Sequence, residues 1–499
     1  MANLKSLAKD TAIYGLSSIV ARFINFLLVP IQTARFAASG GEYGVITNVY
    51  AYVSILIILL TFGMETTFFR FMSKEGENPE RIYSTTLRIV ATTSLLSIVL
   101  VLCLLHPIAS AMGYADHPEY VGVMYVTVAI DAFMAIPFAY LRYQHRPVKF
   151  ATLKIINILL NITLNLLYLI VLPSLKLNPF GIYDDQFTLD VAFVFYINLV
   201  CTLFSLVLLW KELRGFRFGF DGAACRRMLS YTWPLLVMGV AGQLNQAASQ
   251  ILFPYFYDGS AEDARVQLGI YGACIKIAMI MVMITQAFRF AYEPFVFGKS
   301  KDKDNRDTYA QAMKFYVIFT LLAFLCVMGY IHVLKYIIGS DYWEGLRVVP
   351  IVMAAEIMFG VFFNLSFWYK LTDRTIWGAW FSGLGALVLI MVDVLFIPRF
   401  SYMACAWAGL AAYAVSMLVS YAVGQRYYPI RYPLGQIAFY VVVALVLFAG
   451  MTVANRQLPM WGALAVNTLL ILLFLAVIIR RDMPLSALPV IGKYFRQKE

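Results

Sequence analysis

The chain has little charge and no recognisable catalytic or metal-binding motif. Only 13% of its 499 residues are Asp, Glu, Lys or Arg, whereas soluble domains carry about 25%. Its six cysteines form no CxxC pair, and its four histidines share no helical face at ligand spacing. A phosphate-cradling GxxxxGK loop and a nucleophile elbow are also missing. These absences predict a protein that is not an enzyme and has no metal site and no cofactor.

What the sequence has instead is apolar residues, which make up 61% of the chain and give a mean hydropathy of +0.75. Apolar runs of about 18 residues or more are long enough to cross a bilayer as helices. Reading them along the chain gives about fourteen spans, so the predicted fold class is an all-α polytopic membrane protein. The predicted limits are 11–35, 44–70, 84–110, 119–142, 150–173, 188–210, 230–256, 266–297, 310–334, 347–370, 375–397, 403–425, 433–453 and 460–480.

The net charge of +11 is distributed unevenly between the two sides of the membrane. The even-numbered connections and the C-terminal tail collect most of the Lys and Arg. The opposite loops carry about one cation each: Arg35, Lys176, Arg265, Lys335, Arg347, Arg399 and Arg456. Loops rich in Lys and Arg stay on the cytoplasmic side. The sequence therefore predicts a multi-pass protein of the cytoplasmic membrane, with both termini in the cytoplasm and no nucleic-acid partner.

A charged linker, KELRGFRFGFDGAACRR at Lys211–Arg227, divides the first six spans from the rest. Because six is an even number, span seven starts on the same side as span one, and a repeat of six helices would be parallel. In each half the second helix starts around a glycine, Gly44 or Gly269. The predicted domains are a six-helix lobe at 1–210, a cytoplasmic linker at 211–229, a six-helix lobe at 230–426, and helices 13–14 with a cytoplasmic tail at 427–499.

Two predicted helices carry polar stripes. Gln243, Gln246 and Gln250 recur on one face of helix seven, and Asn157 and Asn161 do the same on helix five. Such side chains must face other helices or water. These side chains either form interhelical hydrogen bonds, worth about 0.6 kcal/mol each, or line a hydrated cavity. Two whole stripes favour the cavity.

Ionisable residues also lie inside the spans, where a charge costs at least about 2.5–3.5 kcal/mol. One interpretation is structural ion pairing, Arg22 with Asp131 and Lys276 with Glu356. The other is that the cations receive an anionic substrate while an acid carries a coupling proton or sodium ion. The predicted substrate-binding residues are Arg22, Asn25, Arg70, Asn157, Asn161, Gln243, Gln246, Gln250, Lys276 and Arg289. The ion-coupling candidates are Asp131, Glu356 and Glu65.

Four segments carry a resemblance to a known family. They are GEYGVITNVYAY at Gly41–Tyr52, QAFRFAYEPF at Gln286–Phe295, GVFFNLSFWYKLTDRT at Gly360–Thr375 and IPRFSYMACAWAGLAAY at Ile397–Tyr413. With Arg22 in the first helix, the chain resembles the Wzx-like O-antigen and polysaccharide flippases. These are oligosaccharide flippases of the multidrug/oligosaccharidyl-lipid/polysaccharide exporter superfamily.

The resemblance implies two lobes around a central cavity, alternating access, and a polyprenyl-pyrophosphate-linked oligosaccharide as cargo. Membrane lipid and other polysaccharide-assembly proteins are the further partners that it implies, and the last two helices would guide the lipid tail. Asp393 is a departure, because a neutral amide is expected there in many relatives.

A multidrug antiporter of the same fold is the alternative function. Cationic drugs favour acids in the cavity, and Asp131 and Glu356 keep this interpretation open, whereas the first helix offers Arg22. A membrane enzyme or a non-transporting structural protein is the third class. It has the least support, because all the predicted external loops are short.

Overall fold

The structure is a computed structural model that describes residues 23–24, 26–72, 78–298, 306–372, 374 and 376–482. Every regular element within these ranges is helical. The long helices, with the described end of the first span, are α1 (Leu28–Arg35), α2 (Glu42–Met72), α3 (Pro79–Cys103), α4 (Pro118–Tyr143), α5 (Pro147–Ser174), α6 (Val191–Leu208), α7 (Gly222–Phe256), α8 (Ala261–Gly298), α9 (Arg306–Gly329), α10 (Ser340–Lys370), α11 (Ile376–Phe400), α12 (Tyr402–Tyr427), α13 (Leu434–Gln457) and α14 (Met460–Arg481).

Twelve of these helices, all but α1 and α7, are long and apolar enough to cross a membrane within the described ranges. The predicted all-α polytopic membrane fold is therefore confirmed. α7 is 35 residues long but has the polar stripe that lowers its hydropathy. Most of the first predicted span lies outside the described residues.

Local capping explains where several helices begin. Asn78 accepts hydrogen bonds from the amides of Glu80 and Arg81, and Pro79 occupies the first turn of α3. Asp190 accepts from the Ala192 amide before α6. Asp221 accepts from the Ala224 amide before α7. A side-chain oxygen at this position satisfies backbone N–H groups that have no partner within the helix.

Two predicted spans are interrupted. The span predicted at 84–110 breaks at Leu104, where a short helix, Leu105–Ala111, follows α3. α2 breaks at Phe62 and Gly63, which both have positive φ. A Cβ on Gly63 would lie 2.8 Å from the Leu235 Cβ of α7. Gly63 therefore permits both the turn and the close approach of α7.

The predicted linker is ordered against the first helices. The Tyr83 hydroxyl of α3 donates to the Glu212 carbonyl at 2.8 Å, and the Glu212 carboxylate pairs with Lys149 of α5. Arg88 of α3 donates to the Phe216 carbonyl at 2.8 Å. α7 begins at Gly222, inside the predicted linker.

The helices divide into two compact units. Unit one contains the residues up to Ala273 together with Gly378–Ala412, and unit two contains Cys274–Trp377 and the residues from Tyr413 onward. In unit one, α2 packs along α4 and α7, α4 packs along α3 and α6, and α6 packs along α5. In unit two, α9 packs along α10, α13 and α14. The lobe boundaries predicted from the sequence remain a prediction.

α13 and α14 are attached to α9 by buried polar groups. Asn467 of α14 is fully buried, and its amide donates to the Gly329 carbonyl at 2.8 Å and to Asn455 at 2.9 Å. At the other end of the helices, the buried Lys314 ammonium donates to Asp482 at 2.8 Å and to Gln436 at 3.1 Å. Polar contacts therefore fix both ends of this helix pair, whose sequence is otherwise almost entirely apolar.

Candidate functional site

Unit one encloses a cavity of about 610 Å³ between α2, α4, α5 and α6. Apolar side chains form much of its wall, and polar and charged groups from all four helices interrupt them. Its charged and amide lining includes Glu65, Asp131, Arg142, Lys154, Asn157 and Asn161. It therefore gathers two of the three predicted ion-coupling acids and two of the predicted substrate-binding amides.

The asparagine stripe of α5 forms one wall of the cavity and hydrogen-bonds to α6. The Asn157 amide donates to the Cys201 carbonyl at 3.0 Å and to the Ser205 hydroxyl at 2.6 Å. The Asn161 amide donates to the Asn198 side-chain oxygen at 3.1 Å. These bonds are the interhelical contacts that the sequence left as an alternative to a cavity wall. Asn157 and Asn161 therefore both line the cavity and form interhelical hydrogen bonds.

A charge pair lies inside the cavity. The Asp131 carboxylate of α4 interacts electrostatically with Lys154 of α5 and accepts a hydrogen bond from the Thr202 hydroxyl at 3.2 Å. The Lys154 ammonium lies 4.2 Å from the centroid of the Phe138 ring. The sequence suggested Arg22 as the partner of Asp131, but Arg22 and Asn25 lie outside the described residues. Within the described part, Lys154 is the cation that faces this acid.

A second ion pair lies on the same cavity, where α2 and α4 approach their predicted cytoplasmic ends. Glu65 of α2 pairs with Arg142 of α4, and both side chains are partly exposed. The Arg142 guanidinium also lies 5.0 Å from the Phe69 ring centroid. Farther along α2, towards its beginning, the Asn198 amide donates to the Tyr50 hydroxyl at 2.8 Å. Polar groups of α2 thus line the cavity at both ends of its middle half, with Glu65 at one end and Tyr50 at the other.

Near its beginning, α2 is tied to α7 and α8. The buried Asn48 amide donates to the Gln250 backbone carbonyl at 2.8 Å, and the Asn48 side-chain oxygen accepts from the Tyr114 hydroxyl at 2.9 Å. A Cβ on Gly44 would lie 1.8 Å from the Arg265 carbonyl oxygen. The predicted topology places this end of α2 on the outer side.

The glutamine stripe of α7 is not part of the cavity lining. Gln243 and Gln250 are half-buried and Gln246 is exposed. Neighbouring residues of α7 form the buried contacts instead, since the Asn245 amide donates to the Ser382 carbonyl at 2.8 Å. Arg70 is also outside the cavity, with its guanidinium 4.1 Å from the Tyr231 ring centroid.

The remaining predicted residues belong to unit two. Lys276 and Glu356 are half-buried, and neither makes an ion pair with another described residue. Glu356 interacts electrostatically with Tyr316 and Tyr413. The Lys276–Glu356 ion pair considered from the sequence is therefore not present. Arg289 lies with its guanidinium 4.1 Å from the Phe363 ring centroid.

Asp393 of α11 is a buried acid whose environment the sequence did not reveal. Its side chain is fully buried, and one carboxylate oxygen accepts from the Ser249 hydroxyl of α7 at 2.7 Å. The other oxygen accepts no hydrogen bond from a described N–H or O–H group, and the buried Cys405 thiol of α12 lies beside the carboxyl group. Residue count placed Asp393 near the outer boundary of its span, and the packing of α7 against α11 buries it. In the sequence, Ser249 among the polar residues of α7 was the feature that could have indicated a buried partner for Asp393.

Two comparisons with known proteins agree with this architecture. The sequence matches the model of a family described as "Polysaccharide biosynthesis protein" over residues 7–291. The chain is similar in structure to the lipid II flippase MurJ in an inward closed conformation, with a TM-score of 0.72 and 14% identity. That match covers 94% of this chain and 98% of MurJ. No curated protein matches the sequence.

Multidrug transporters of the MATE family have a similar fold. An inward-facing MATE transporter of the MOP superfamily has a TM-score of 0.60 and 12% identity, covering 82% of this chain and 93% of that one. The MATE multidrug transporter DinF-BH has a TM-score of 0.60 and 15% identity, covering 85% of this chain and 96% of that one. At these identities the likeness establishes the fold alone.

Proposed function

The chain belongs to the family of polysaccharide biosynthesis proteins, and on that premise we propose that it flips a polyprenyl-pyrophosphate-linked oligosaccharide across the cytoplasmic membrane. Movement is from the cytoplasmic to the outer leaflet, by alternating access. The observation that carries the proposal is the family match over residues 7–291, in a chain whose fold is similar to that of a lipid II flippase and whose helices hold charged groups in a cavity. Charged groups at membrane depth mark substrate or ion pathways.

The cavity of unit one is assigned to coupling rather than to the cargo itself. Its volume of about 610 Å³ is in the range of a small-molecule or ion site. Asp131 and Glu65 are the acids that line it, and Lys154 and Arg142 are the cations near them. We assign binding of the coupling proton or sodium ion to Asp131 and Glu65. Asn157 and Asn161 hydrogen-bond α5 to α6 and so stabilise the wall of the cavity.

The contacts that hold α2 against α7 and α8 support alternating access. Within unit one, Asn48, Gly44 and Arg265 hold α2 against α7 and α8 at the predicted outer end. On this proposal these contacts separate when cargo is released outward. Hydrogen bonds to one side-chain amide and a glycine contact are interactions that a transporter can break and remake within its cycle. Arg22, Lys276 and Arg289 are assigned to the pyrophosphate and the glycan on the cargo route.

The family match supports further partners. Glycosyltransferases that complete the lipid-linked glycan, and other polysaccharide-assembly proteins that consume it, would act before and after this step. Its product would enter lipopolysaccharide or another polysaccharide of the cell envelope. The protein itself is assigned no catalytic role.

A flipping assay tests the proposal. Purified protein in vesicles of phosphatidylethanolamine and phosphatidylglycerol receives a short prenyl-pyrophosphate-linked N-acetylglucosamine probe. An impermeant lectin then reports the rate at which the probe changes leaflet. We expect a rate above protein-free vesicles that changes with an imposed proton or sodium gradient. A rate equal to that of protein-free vesicles under every gradient would overturn the proposal.

A multidrug antiporter is the second candidate, favoured by the acids Glu65 and Asp131 in the cavity and by the MATE fold. The same vesicles test it with a cationic rhodamine dye in place of the glycolipid. Gradient-driven dye transport without glycolipid flipping would establish this candidate instead.

A further inference from the structure

The cavity of unit one contains two cations of its own. Its described lining has two acids, Glu65 of α2 and Asp131 of α4, and two cations, Arg142 of α4 and Lys154 of α5. Glu65 is paired with Arg142. Lys154 interacts electrostatically with Asp131 and also with Glu65. The formal charges of the described lining therefore balance before any ion from solution enters, and Lys154 is within electrostatic reach of both acids.

Lys154 is held in the cavity by an aromatic contact. Its ammonium lies 4.2 Å from the centroid of the Phe138 ring of α4, an attractive arrangement for a cation. That ring packs edge-on against Phe150 of α5, with centroids 5.5 Å apart and an interplanar angle of 80°. Phe138 and Asp131 are seven residues apart on α4, so they lie on one face of that helix, about two turns apart. The Phe138 ring therefore holds the ammonium at the face of α4 that carries Asp131.

Asp131 offers the kind of oxygen atoms that bind an alkali metal cation. Its carboxylate accepts a hydrogen bond from the Thr202 hydroxyl at 3.2 Å, and carboxylate and hydroxyl oxygens are ligands that hard cations prefer. A carboxylate alone at this depth would attract a cation from solution, because a single charge inside the membrane is costly. The Lys154 ammonium supplies that positive charge from within the protein. Because it is tethered to α5, a free sodium ion must always compete with it for the acid.

We propose that Lys154 is the resident cation of the unit-one cavity: it neutralises Asp131 in the position that a sodium ion would otherwise take, so the ion coupled through this cavity is a proton. The inference rests on the proposed function, which assigns this cavity to coupling and names a proton or a sodium ion. The other titratable side chains of the described lining are Tyr50 of α2 and Cys201 of α6. Both are uncharged when protonated, so neither supplies the positive charge that Lys154 does.

A proton competes with the tethered ammonium better than a sodium ion does. It forms a covalent bond to one carboxylate oxygen, whereas sodium is held only by electrostatic attraction to several oxygens. Glu65 gives the ammonium a second acid to approach. When Lys154 moves towards Glu65, the Asp131 carboxylate loses its counter-ion and takes a proton from solvent, because the neutral acid is the more stable form at this depth. When the ammonium returns, the proton leaves to solvent, so the two alternate at Asp131.

The first experiment measures sodium binding without transport. The thermal midpoint of the purified full chain is compared in sodium chloride and in choline chloride at equal ionic strength, since an ion that binds the folded state raises the midpoint. The proteins are the wild type, Asp131→Asn, Lys154→Gln, and the double variant with both changes. Lys176→Gln is the matched control, because it removes one charge at an exposed position just beyond the end of α5.

We expect the wild type and Lys176→Gln to have the same midpoint in both salts. Sodium should raise the midpoint of Lys154→Gln by about 2 °C or more, because the ion fills the position that the ammonium has left. The double variant should lose this effect, because the carboxylate is gone. A Lys154→Gln midpoint that is the same in both salts would overturn the proposal. So would a wild-type midpoint that sodium raises and that Asp131→Asn makes insensitive to sodium.

The second experiment uses the flipping assay, with proton and sodium gradients imposed separately at the same membrane potential. We expect the wild-type rate to follow the proton gradient and not the sodium gradient. A rate that follows the sodium gradient, or neither gradient, would overturn the proton assignment while the proposed function stands. If the wild type flips no glycolipid, the proposed function fails, and the midpoints still decide whether Lys154 excludes sodium.

Should Lys154→Gln fold in neither salt, the wild type decides. A sodium response of its midpoint or rate that Asp131→Asn abolishes would overturn the proposal, and the absence of any such response would support it.

Discussion

Gly44 of α2 and Gly269 of α8 are in direct backbone contact. A Cβ on Gly269 would lie 2.9 Å from the Gly44 amide nitrogen, and a Cβ on Gly44 would lie 1.8 Å from the Arg265 carbonyl oxygen. The sequence singled out both glycines as the start of the second helix in each half. The structure shows that these two glycines contact each other. The absence of side chains is what lets the two helices cross at this distance.

The first prediction is that Gly44→Ala separates α2 from α8. The added methyl collides with backbone rather than with a flexible side chain, so we expect a loss of about 1–3 kcal/mol and a lower thermal midpoint of the purified protein. Gly242→Ala in α7 is the control, since its Cβ would meet nothing within 4 Å. Equal midpoints for the two variants would contradict the contact.

The second prediction concerns the Asp131–Lys154 pair. Asp131→Asn leaves the Lys154 charge in the cavity without its acid, so we expect the gradient dependence of flipping to change and the rate to fall. Adding Lys154→Gln should restore charge balance and fold stability, with a coupling of about 0.5–3 kcal/mol in a double-mutant cycle, but not the gradient dependence. The exposed Asp258→Asn is the control. If Asp131→Asn keeps the wild-type rate and ion dependence, Asp131 is only a structural counterion.

The third prediction concerns Arg22, which stands about 11 residues into the first predicted span and so about 16 Å deep, near the midplane. Arg22→Ala should abolish flipping while the protein still folds and inserts. Arg22→Lys should restore it partly, because the charge is kept and the bidentate fork is lost. Normal flipping by Arg22→Ala, or failure through degradation alone, would return Arg22 to a structural role.

The fourth prediction concerns the attachment of α14 to α9. Burial disfavours the charged form of Asp482, but hydrogen bonds from Lys314 and Tyr440 and the Lys314 charge together hold the pKa of its carboxyl below its usual value. Stability from a lowered pKa is present above the ordinary aspartate pKa of about 4 and is lost as the pH falls through the folded-state value. We therefore expect the thermal midpoints of wild type and Asp482→Asn to differ near pH 7 and to converge below about pH 4.

Lys314→Met checks the same attachment independently. It leaves the half-buried Asp482 carboxylate beside Tyr440 without the Lys314 ammonium, at a cost of about 1–3 kcal/mol. A midpoint for Lys314→Met equal to that of the wild type, or a constant difference between wild type and Asp482→Asn at every pH, would show that the pair does not stabilise the helix.

The fifth prediction concerns topology. In a cysteine-free background, single cysteines at the exposed positions Asp258 and Asp341 should react with an impermeant thiol reagent added outside. A cysteine at Asp302, in the predicted cytoplasmic connection outside the described residues, should react only after the membrane is opened. The reverse labelling would invert the inside-to-outside direction assigned to the cargo.

The sequence by itself determined the membrane class, the helix positions and the polar faces. Hydrophobic length is a local property, so thirteen predicted spans have described helices, and the described end of the first is helical too. α3 ends earlier than predicted, and α7 and α10 begin earlier. The stripe of Asn157 and Asn161 was visible for the same reason, because helical periodicity places residues four apart on one face. Resemblance added the family, and the family match confirmed it.

Only the tertiary structure decided which charges meet. Lys314 reads as a cytoplasmic loop cation, yet it is buried against Asp482, 168 residues away. Asp131 faces Lys154 from another helix. Long-range pairing of this kind depends on how helices pack and cross, and no pattern along one helix encodes its neighbour. The sequence specifies which helix faces are polar and must avoid lipid, and helix packing decides which residues those faces contact.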